Sequence, residues 1–216
     1  MREGGILLFM GGGNTIFIGG TGGSTVVGGT SGHALIFAGE GGGLFSSGSG
    51  GNNTIVGGQH GSTIFGGAGG DVLFAVGSAG TIIQAGTGNE TLQGIGSAGN
   101  DVFFAGAGND LIGLGSGRDV VFSGTGASTV VAGTGRDIFA FANGRSGGNE
   151  TIVGFKIGVD IISLQDYAEG EIGRALNSAA PTPGTSAGLS STTLTLSDNT
   201  RITFRDLSGV DGRFFR

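Results

Sequence analysis

Short apolar stretches recur along the chain as far as about residue 143, each preceded by glycine-rich sequence that ends in a polar residue. The apolar stretches are two or three residues long, as in Val102-Phe103-Phe104 and Leu111-Ile112. The polar residues before them keep a spacing of nine, first in an upstream group and then in a longer downstream group: Asn53, Ser62, Asp71; Asp101, Asp110, Asp119, Ser128, Asp137. A fixed internal period of this kind is the signature of a repeat architecture.

The nine-residue period predicts a short strand joined to a tight turn. Six glycine-rich residues suit a turn that needs left-handed backbone, and three apolar residues suit a minimal strand whose middle side chain points inward. Two repeats then form one coil, so residues eighteen apart become vertical neighbours. The inward side chains should form the core, and we predict this column: Ile55, Ile64, Leu73, Ile82, Leu92, Phe103, Ile112, Val121, Val130, Phe139.

The fold class that follows is all-β, a right-handed parallel β-roll. Composition agrees, because 53 of the 216 residues are Gly while hydrophobic residues reach 37% and only 2 residues are Pro. Disordered glycine-rich chains lack such apolar content, and collagen needs abundant Pro with Gly at every third position. The chain has no Cys, so it has no disulfide framework and no thiolate metal site.

Charge and hydropathy exclude several partners. The 10 basic residues form no patch and the net charge is −6, so we expect no nucleic-acid partner. The apolar run at residues 6–10 is shorter than the ~7–15 residues of a signal-peptide core and the ~20 of a membrane span. We therefore expect no membrane span and no N-terminal secretion signal.

Residues 66–74 match the nonapeptide G-G-x-G-x-D-x-U-x in full, where U is a large apolar residue. On this motif and on its tail the chain resembles the RTX (repeats-in-toxin) proteins of Gram-negative bacteria. In that family the roll is closed by segments that resemble residues 148–155 and 158–164 here, and a later pair of strands resembles residues 192–197 and 201–204. The resemblance therefore implies a small C-terminal β cap. Asp198-Asn199 is a plausible hairpin turn between that pair, and residues 176–191 should be a flexible insertion.

The resemblance implies a protein that leaves the cell unfolded through type I secretion machinery and folds outside, where calcium is available. It also implies an extracellular or cell-surface location. We place a boundary near residue 144, with the β-roll over 1–143 and a C-terminal capping segment with the secretion signal over 144–216.

Calcium takes six to eight oxygen ligands, which glycine-turn carbonyls and one carboxylate per turn can supply. Asp101, Asp119 and Asp137 should line one edge, with the carbonyls of Gly99, Gly117 and Gly135. The column of the other edge should consist of Asp71, Glu90, Asp110 with the carbonyl of Gly108, and Ser128. We expect weaker calcium binding there, because Glu is longer than Asp and Ser carries no charge. The N-terminal half should be largely free of calcium. An alternative is that these Asp residues only form turns.

The outward position at the end of each strand is also apolar in places. Phe65, Ile83, Phe104 and Phe122 should form a stripe on one sheet, and such stripes are rarely left open on soluble monomers. Either the C-terminal segment or another copy of the chain could cover the stripe. An apolar opening strand that includes Ile6 and Leu8 is a weak cap and a good docking strand, so we expect a homo-oligomer or polymer.

Catalysis finds little support in the sequence. The two His residues, His33 and His60, are far apart in turns, and Tyr167 has no evident partner. Ice binding is an alternative, based on Thr residues predicted to point outward at the start of strands: Thr15, Thr25, Thr54, Thr63, Thr81, Thr91, Thr129. We therefore expect a non-enzymatic, secreted, calcium-binding structural protein that self-assembles into a filament, sheath or surface layer. The alternative is a calcium-dependent folding and secretion module of an RTX-type exoprotein or adhesin.

Overall fold

The computed structural model describes residues 4–185 and 189–216, which form a parallel β-solenoid of two facing sheets. The strands are numbered in chain order. Sheet A contains β1 (Leu7–Phe9), β3 (Ser24–Val27), β5 (Gly43–Ser46), β7 (Ser62–Phe65), β9 (Ile82–Gln84), β11 (Val102–Phe104), β13 (Val120–Phe122), β15 (Ile138–Ala142) and β17 (Ile161–Gln165). Sheet B contains β2 (Thr15–Ile18), β4 (Ala34–Phe37), β6 (Thr54–Val56), β8 (Val72–Phe74), β10 (Thr91–Gln93), β12 (Leu111–Gly113), β14 (Ser128–Val131), β16 (Asn149–Val153), β20 (Arg201–Arg205), β19 (Ser190–Thr195) and β18 (Ala180–Pro183).

The predicted fold class, an all-β roll of stacked repeats, is confirmed. From β1 to β17 the strands alternate between the two sheets, and each strand as far as β15 pairs in parallel with the strand two further on, as β11 does with β13. The turns therefore fall along two edges. We call the turns that lead into sheet A strands edge A, and those that lead into sheet B strands edge B.

The core lies between the sheets and is one residue deep, because only the middle side chain of each short strand points inward. Nine of the ten predicted core positions are buried, from Ile55 to Phe139. Ile82 is the exception: it is exposed, and Ile83 takes the inward place. Thr63 pairs with Ile82, so the coil from β7 to β9 has nineteen residues instead of eighteen. The extra residue shifts the inward-facing position of β9 by one residue.

The C-terminal segment closes one end of the roll. β16 and β17 extend the two sheets, and β20 continues sheet B in parallel before β19 and β18 turn antiparallel. The rings of Phe155, Phe204 and Phe214 pack together inside this end, with centroids 5.0–5.6 Å apart. Both sheets run across residue 144, and the division of the chain there stays a prediction.

The predicted flexible insertion at 176–191 is wrong over much of its length. A helix, α1 (Glu171–Asn177), reaches into it, and β18 pairs with β19. Residues 186–188 of this stretch lie outside the described part of the chain. Ala175 of α1 is fully buried, which shows that an apolar contact holds the helix on the roll. In the described ranges, no helix has the length and apolar character needed to cross a membrane.

Candidate metal centre

Edge A carries a column of buried carboxylates. Val102, Val120 and Ile138 are aligned in adjacent strands, so the preceding Asp101, Asp119 and Asp137 are vertical neighbours as predicted. Each carboxylate accepts a hydrogen bond from a backbone N–H one coil earlier. The donor–acceptor pairs are Thr81 N to Asp101 Oδ1 at 2.7 Å, Asp101 N to Asp119 Oδ1 at 2.8 Å, and Asp119 N to Asp137 Oδ1 at 3.3 Å.

The column extends one coil further than the sequence predicted, to Asp160. Its Oδ1 accepts the N–H of Asp137 at 3.0 Å, and the side chain is buried. Asp160 comes 23 residues after Asp137, so counting in steps of nine residues does not reach it. In the sequence, the apolar pair Ile161-Ile162 directly after Asp160 indicates that this Asp also precedes a strand.

The second carboxylate oxygen of Asp119, and that of Asp137, closes the turn that precedes the residue. Asp119 Oδ2 accepts the N–H of Gly115 at 3.0 Å, and Asp137 Oδ2 accepts that of Gly133 at 2.9 Å. The Asp residues are therefore turn-formers, as the alternative interpretation holds. A carboxylate has about four lone-pair sites, so the same oxygens can also bind a cation.

Glycine carbonyls form a second column on edge A. A Cβ built on Gly117 would lie 1.7 Å from the carbonyl oxygen of Gly99, and one on Gly135 would lie 1.6 Å from that of Gly117. The carbonyl of each coil therefore fills the place that a side chain of the next coil would need. Only glycine permits this stacking, which aligns the carbonyls beside the Asp column.

The carbonyl column of edge A ends at a fixed positive charge. Lys156 occupies the place four residues before Asp160, where the two preceding coils have Gly115 and Gly133. Its backbone N–H donates to Asp160 Oδ2 at 2.7 Å, and its ammonium group donates to the Gly133 carbonyl. A side chain therefore supplies a cation at the last coil of this edge.

Edge B carries the other predicted column, and its oxygens are less well satisfied. Asp71, Glu90, Asp110 and Ser128 precede aligned strands, and Glu150 follows in the same register. All five side chains are buried. Within the described chain, four of them have a side-chain oxygen without a hydrogen-bond partner: Glu90 Oε2, Asp110 Oδ2, Ser128 Oγ, Glu150 Oε1.

The first member of the edge B column is already satisfied by the protein. Asp71 Oδ1 accepts both the backbone N–H of Asn53 at 2.7 Å and its side-chain amide at 2.9 Å, and Asp71 Oδ2 accepts the N–H of Gly67. An amide donor thus takes the place of a cation at this coil. That the N-terminal half holds little calcium stays a prediction.

The two columns place buried negative charge in the repeats, where no described side chain forms an ion pair with it. Arg118 and Arg136 are the described basic residues before position 144, and both side chains are exposed. The two ion pairs among the described residues, Glu171–Arg174 and Asp211–Arg213, lie in the C-terminal segment. A bound cation would supply the missing charge.

Burial raises the pKa of these carboxyl groups. It raises the pKa of Asp137 to about 6, and it raises the pKa of Glu90 and Glu150 to about 8. The pKa values of three further groups are raised by the same cause: Asp101, Asp110, Asp119. Each carboxylate is thus destabilised by loss of water in the absence of a cation.

The donor set fits a hard cation that prefers oxygen. No cluster of three or more acidic or histidine side chains is present among the described residues, so an ion here must take most of its oxygens from the backbone. Calcium accepts such a mixed set of carbonyls and carboxylates. The partnerless oxygen of Asp101, Oδ2, lies on edge A and those of Glu90 and Asp110 lie on edge B, so both edges have an oxygen free to bind.

The raised pKa values predict opposite pH responses with and without calcium. In the folded calcium-free protein these groups bind protons more tightly than in the unfolded chain, where Asp and Glu have pKa values of 3.8 and 4.5. Stability should therefore fall as pH rises from about 4 to about 8. With saturating calcium it should rise over the same range, because the ion binds the deprotonated groups. Thermal unfolding in chelator and in calcium measures both slopes, and equal slopes would contradict this account.

The predicted self-association residues are partly where the sequence placed them. Phe65 and Phe104 are exposed on sheet A, and the ring of Phe104 stacks on that of Phe122 with centroids 4.8 Å apart. Ile83 does not belong to this stripe: it is buried, and Gln84 lies between Phe65 and Phe104. The phase shift that displaced Ile82 from the core is the cause.

The C-terminal segment extends the end of the roll and leaves Phe65 and Phe104 exposed, so the interpretation that it covers the stripe is wrong. At the opposite, N-terminal end of the roll the side chain of Ile6 is exposed. The side chain of Leu8 is half-buried and packs against the core. The two side chains that flank Leu8 point outward, and Phe9 is 69% exposed. On sheet B of the same coil Ile18 is 73% exposed.

The remaining candidates are scattered. His33 and His60 are exposed in separate turns. Tyr167, for which the sequence suggested no partner, donates its hydroxyl to Asp198 Oδ2 at 2.8 Å. Thr15 and Thr81 occupy the place in their coils that the buried Asp residues take in others, not an outward strand position. Thr15 pairs with Ala34, and the N–H of Thr81 donates to Asp101 Oδ1. The other Thr residues are divided between the two sheets, so they do not form one flat array.

Comparison with known proteins gives one family match. The family model of the RTX calcium-binding nonapeptide repeat matches four overlapping segments, at residues 47–82, 76–112, 84–121 and 114–145. No curated protein matches the chain.

Proposed function

Since residues 47–145 consist of RTX calcium-binding nonapeptide repeats, we propose that the chain is a secreted structural protein that calcium orders and that then self-assembles outside the cell. RTX repeats are calcium-binding motifs, and proteins that carry them are generally extracellular. The assembly proposed is a filament, sheath or surface layer without catalytic activity. The observation that carries the calcium part is the pair of buried carboxylate columns, which form no ion pair with any described side chain.

On edge A we assign the ion-binding role to Asp101, Asp119 and Asp137, together with the carbonyls of Gly99 and Gly117. Gly135 stacks on the Gly117 carbonyl in the same column, and in that turn the Lys156 ammonium group donates to the carbonyl of Gly133. On edge B the corresponding groups are Glu90, Asp110 and the carbonyl of Gly108. Asp71 contributes least, because Asn53 and Gly67 already satisfy its carboxylate.

Calcium would supply the positive charge that these turns lack. The chain's own backbone holds the edge A carboxylates in position. Asp101, Asp119 and Asp137 each accept an N–H group from the previous coil, and Asp119 and Asp137 also accept one from their own turn. Repeats bury their apolar side chains only by stacking, and stacking brings the carboxylates together. Folding of the roll and ion binding are therefore coupled, and the coupling links folding to the calcium-rich medium outside the cell.

Self-assembly is supported by two apolar surfaces that no described residue covers. The first is on sheet A, where Phe65 is exposed on one side of Gln84 and Phe104, stacked on Phe122, is exposed on the other. The second is the outward side of the first coil, where Phe9 and Ile18 are largely exposed. In the described chain β1 and β2 are also outermost in their sheets, so one edge of each is open to pairing with another copy. A contact of this kind that does not close on itself produces a filament.

Sedimentation and electron microscopy in calcium and in chelator test the assembly. We expect large particles in calcium and none in chelator. The double change Phe104→Ser and Phe122→Ser should reduce assembly while the protein still folds, because both rings point away from the core. Ile157→Ser, which changes an exposed apolar side chain of the C-terminal segment, is the matched control. Monomers at high concentration in calcium would contradict the proposal.

A second candidate function is a calcium-dependent folding and secretion module. The observation that favours it is the closed C-terminal end of the roll, where Phe155, Phe204 and Phe214 form an ordered cap. Such a cap can start the stacking of the repeats once the C-terminus has left the cell. Calcium-dependent folding of a protein that remains monomeric would support this candidate over the first.

A further inference from the structure

Glu150 continues the acid column of edge B beyond the repeats. It lies in β16, outside the residues matched as RTX repeats, 47–145. The register of β14 and β16 pairs it with Ser128, and Ser128 in turn follows Asp110 by one coil. The three side chains therefore occupy one position in three successive coils.

All three side chains are buried, with exposed fractions of 2–3%. Glu150 Oε2 accepts the hydroxyl hydrogen bond of Ser123 at 3.1 Å. The remaining oxygens of the group, Glu150 Oε1, Ser128 Oγ and Asp110 Oδ2, have no hydrogen-bond partner in the described chain. Buried oxygens in native proteins are nearly always satisfied, so three together indicate a missing ligand.

The glycine carbonyl column also continues through this region. A Cβ on Gly126 would lie 1.7 Å from the carbonyl oxygen of Gly108, and one on Gly148 would lie 1.6 Å from that of Gly126. The backbone thus repeats the stacking that accompanies the carboxylates on edge A. Glu150 forms no ion pair, since the two pairs among the described residues lie elsewhere.

We propose that Asp110, Ser128 and Glu150 form a divalent-cation site of the calcium class, completed by carbonyls of the Gly108 and Gly126 turns. The longer Glu side chain from the capping segment supplies the charge that Ser128 lacks. The site therefore joins the last repeat to the C-terminal segment, and ion binding there would fasten the cap to the roll. The inference rests on the calcium binding proposed for the repeats.

Native mass spectrometry in calcium counts the bound ions and tests this site. Glu150→Gln, which keeps the shape and removes the charge, should bind one ion fewer than the unchanged protein. Glu169→Gln makes the same change at an exposed side chain and should bind the full number. Adding Ser128→Asp to the Glu150→Gln variant moves the carboxylate to the usual repeat position and should restore the lost ion.

An unchanged ion count and affinity in Glu150→Gln would overturn the site while leaving calcium binding by the repeats intact. Absence of ions in the unchanged protein would instead overturn the proposed function. Where Glu150→Gln does not fold, Ser128→Ala replaces it, since it removes only the hydroxyl. Ser128→Ala should then weaken the binding of one ion, and equal titration curves for it and the unchanged protein would overturn the site.

Discussion

Replacing Asp119 by Asn should destabilise the roll strongly in calcium and little in chelator. Asp119 is the middle carboxylate of edge A and lies between the position it shares with Asp101 and the position it shares with Asp137. Its Oδ1 accepts the N–H of Asp101, and its own backbone N–H donates to Asp137 Oδ1. Its loss therefore weakens two ion positions. At one hundred times the dissociation constant each bound ion contributes about 2.7 kcal/mol, so the expected cost in saturating calcium is about 5 kcal/mol.

The same substitution should be tolerated in the absence of calcium, because Asn53 already occupies the corresponding column position on edge B. Asn53 accepts the N–H of Ala34 at 2.7 Å and donates its amide to Asp71 Oδ1. An Asn at 119 can make the same contacts and removes a buried charge, which offsets the loss of one hydrogen bond to Gly115. The expected cost in chelator is about 1 kcal/mol or less.

Chemical denaturation of Asp119→Asn with calcium and with chelator measures both values. Asp166→Asn is the control, because Asp166 is exposed and has a positive φ of 59° that Asn also adopts readily. The control should match the unchanged protein under both conditions. A loss of stability in Asp119→Asn that is equal in calcium and chelator would show that Asp119 is only a turn-former.

Replacing Gly117 by Ala should destabilise the roll by about 3 kcal/mol or more, with or without calcium. The added Cβ would lie 1.7 Å from the carbonyl oxygen of Gly99, and this contact is with backbone, which a rotamer change cannot relieve. The coils would have to move apart at edge A. Ion binding and strand pairing at this coil would then weaken together.

Gly51→Ala is the matched control for Gly117→Ala. Gly51 lies in a turn of the same roll, and a Cβ there meets no atom within 4 Å. We expect its effect on the free energy of unfolding to stay within about 0.5 kcal/mol. Denaturation curves that coincide for the two variants would contradict the close stacking of glycine carbonyls.

The sequence predicted the regular part of the fold because one period fixes both strand and turn. Asp101, Asp119 and Asp137 follow each other at eighteen residues, so their alignment needed only counting. Where a coil is longer, counting fails. The nineteen-residue step to Ile82 exchanged the inward and outward places of Ile82 and Ile83.

The sequence prediction did not include Asp160 and Glu150, because it relied on a fixed spacing between column residues. Asp160 and Glu150 come 23 and 22 residues after their column neighbours, so no fixed period reaches them. Their alignment depends on how the C-terminal segment continues the sheets. That packing is set by tertiary contacts such as the Phe155 cluster, and local sequence does not encode it. Helix α1 was missed for a related reason, since it is short and its buried face contacts the cap.

The most direct test of the account is an anomalous X-ray difference map from crystals grown in calcium. The account predicts peaks between successive coils along edge A, beside the carboxylates of Asp101, Asp119 and Asp137 and the carbonyls of Gly99 and Gly117. We expect no peaks beside Ala34 and Asn53, which hold the column position of edge B in their coils without a carboxylate. A map without peaks on edge A, at calcium concentrations that support folding, would contradict it.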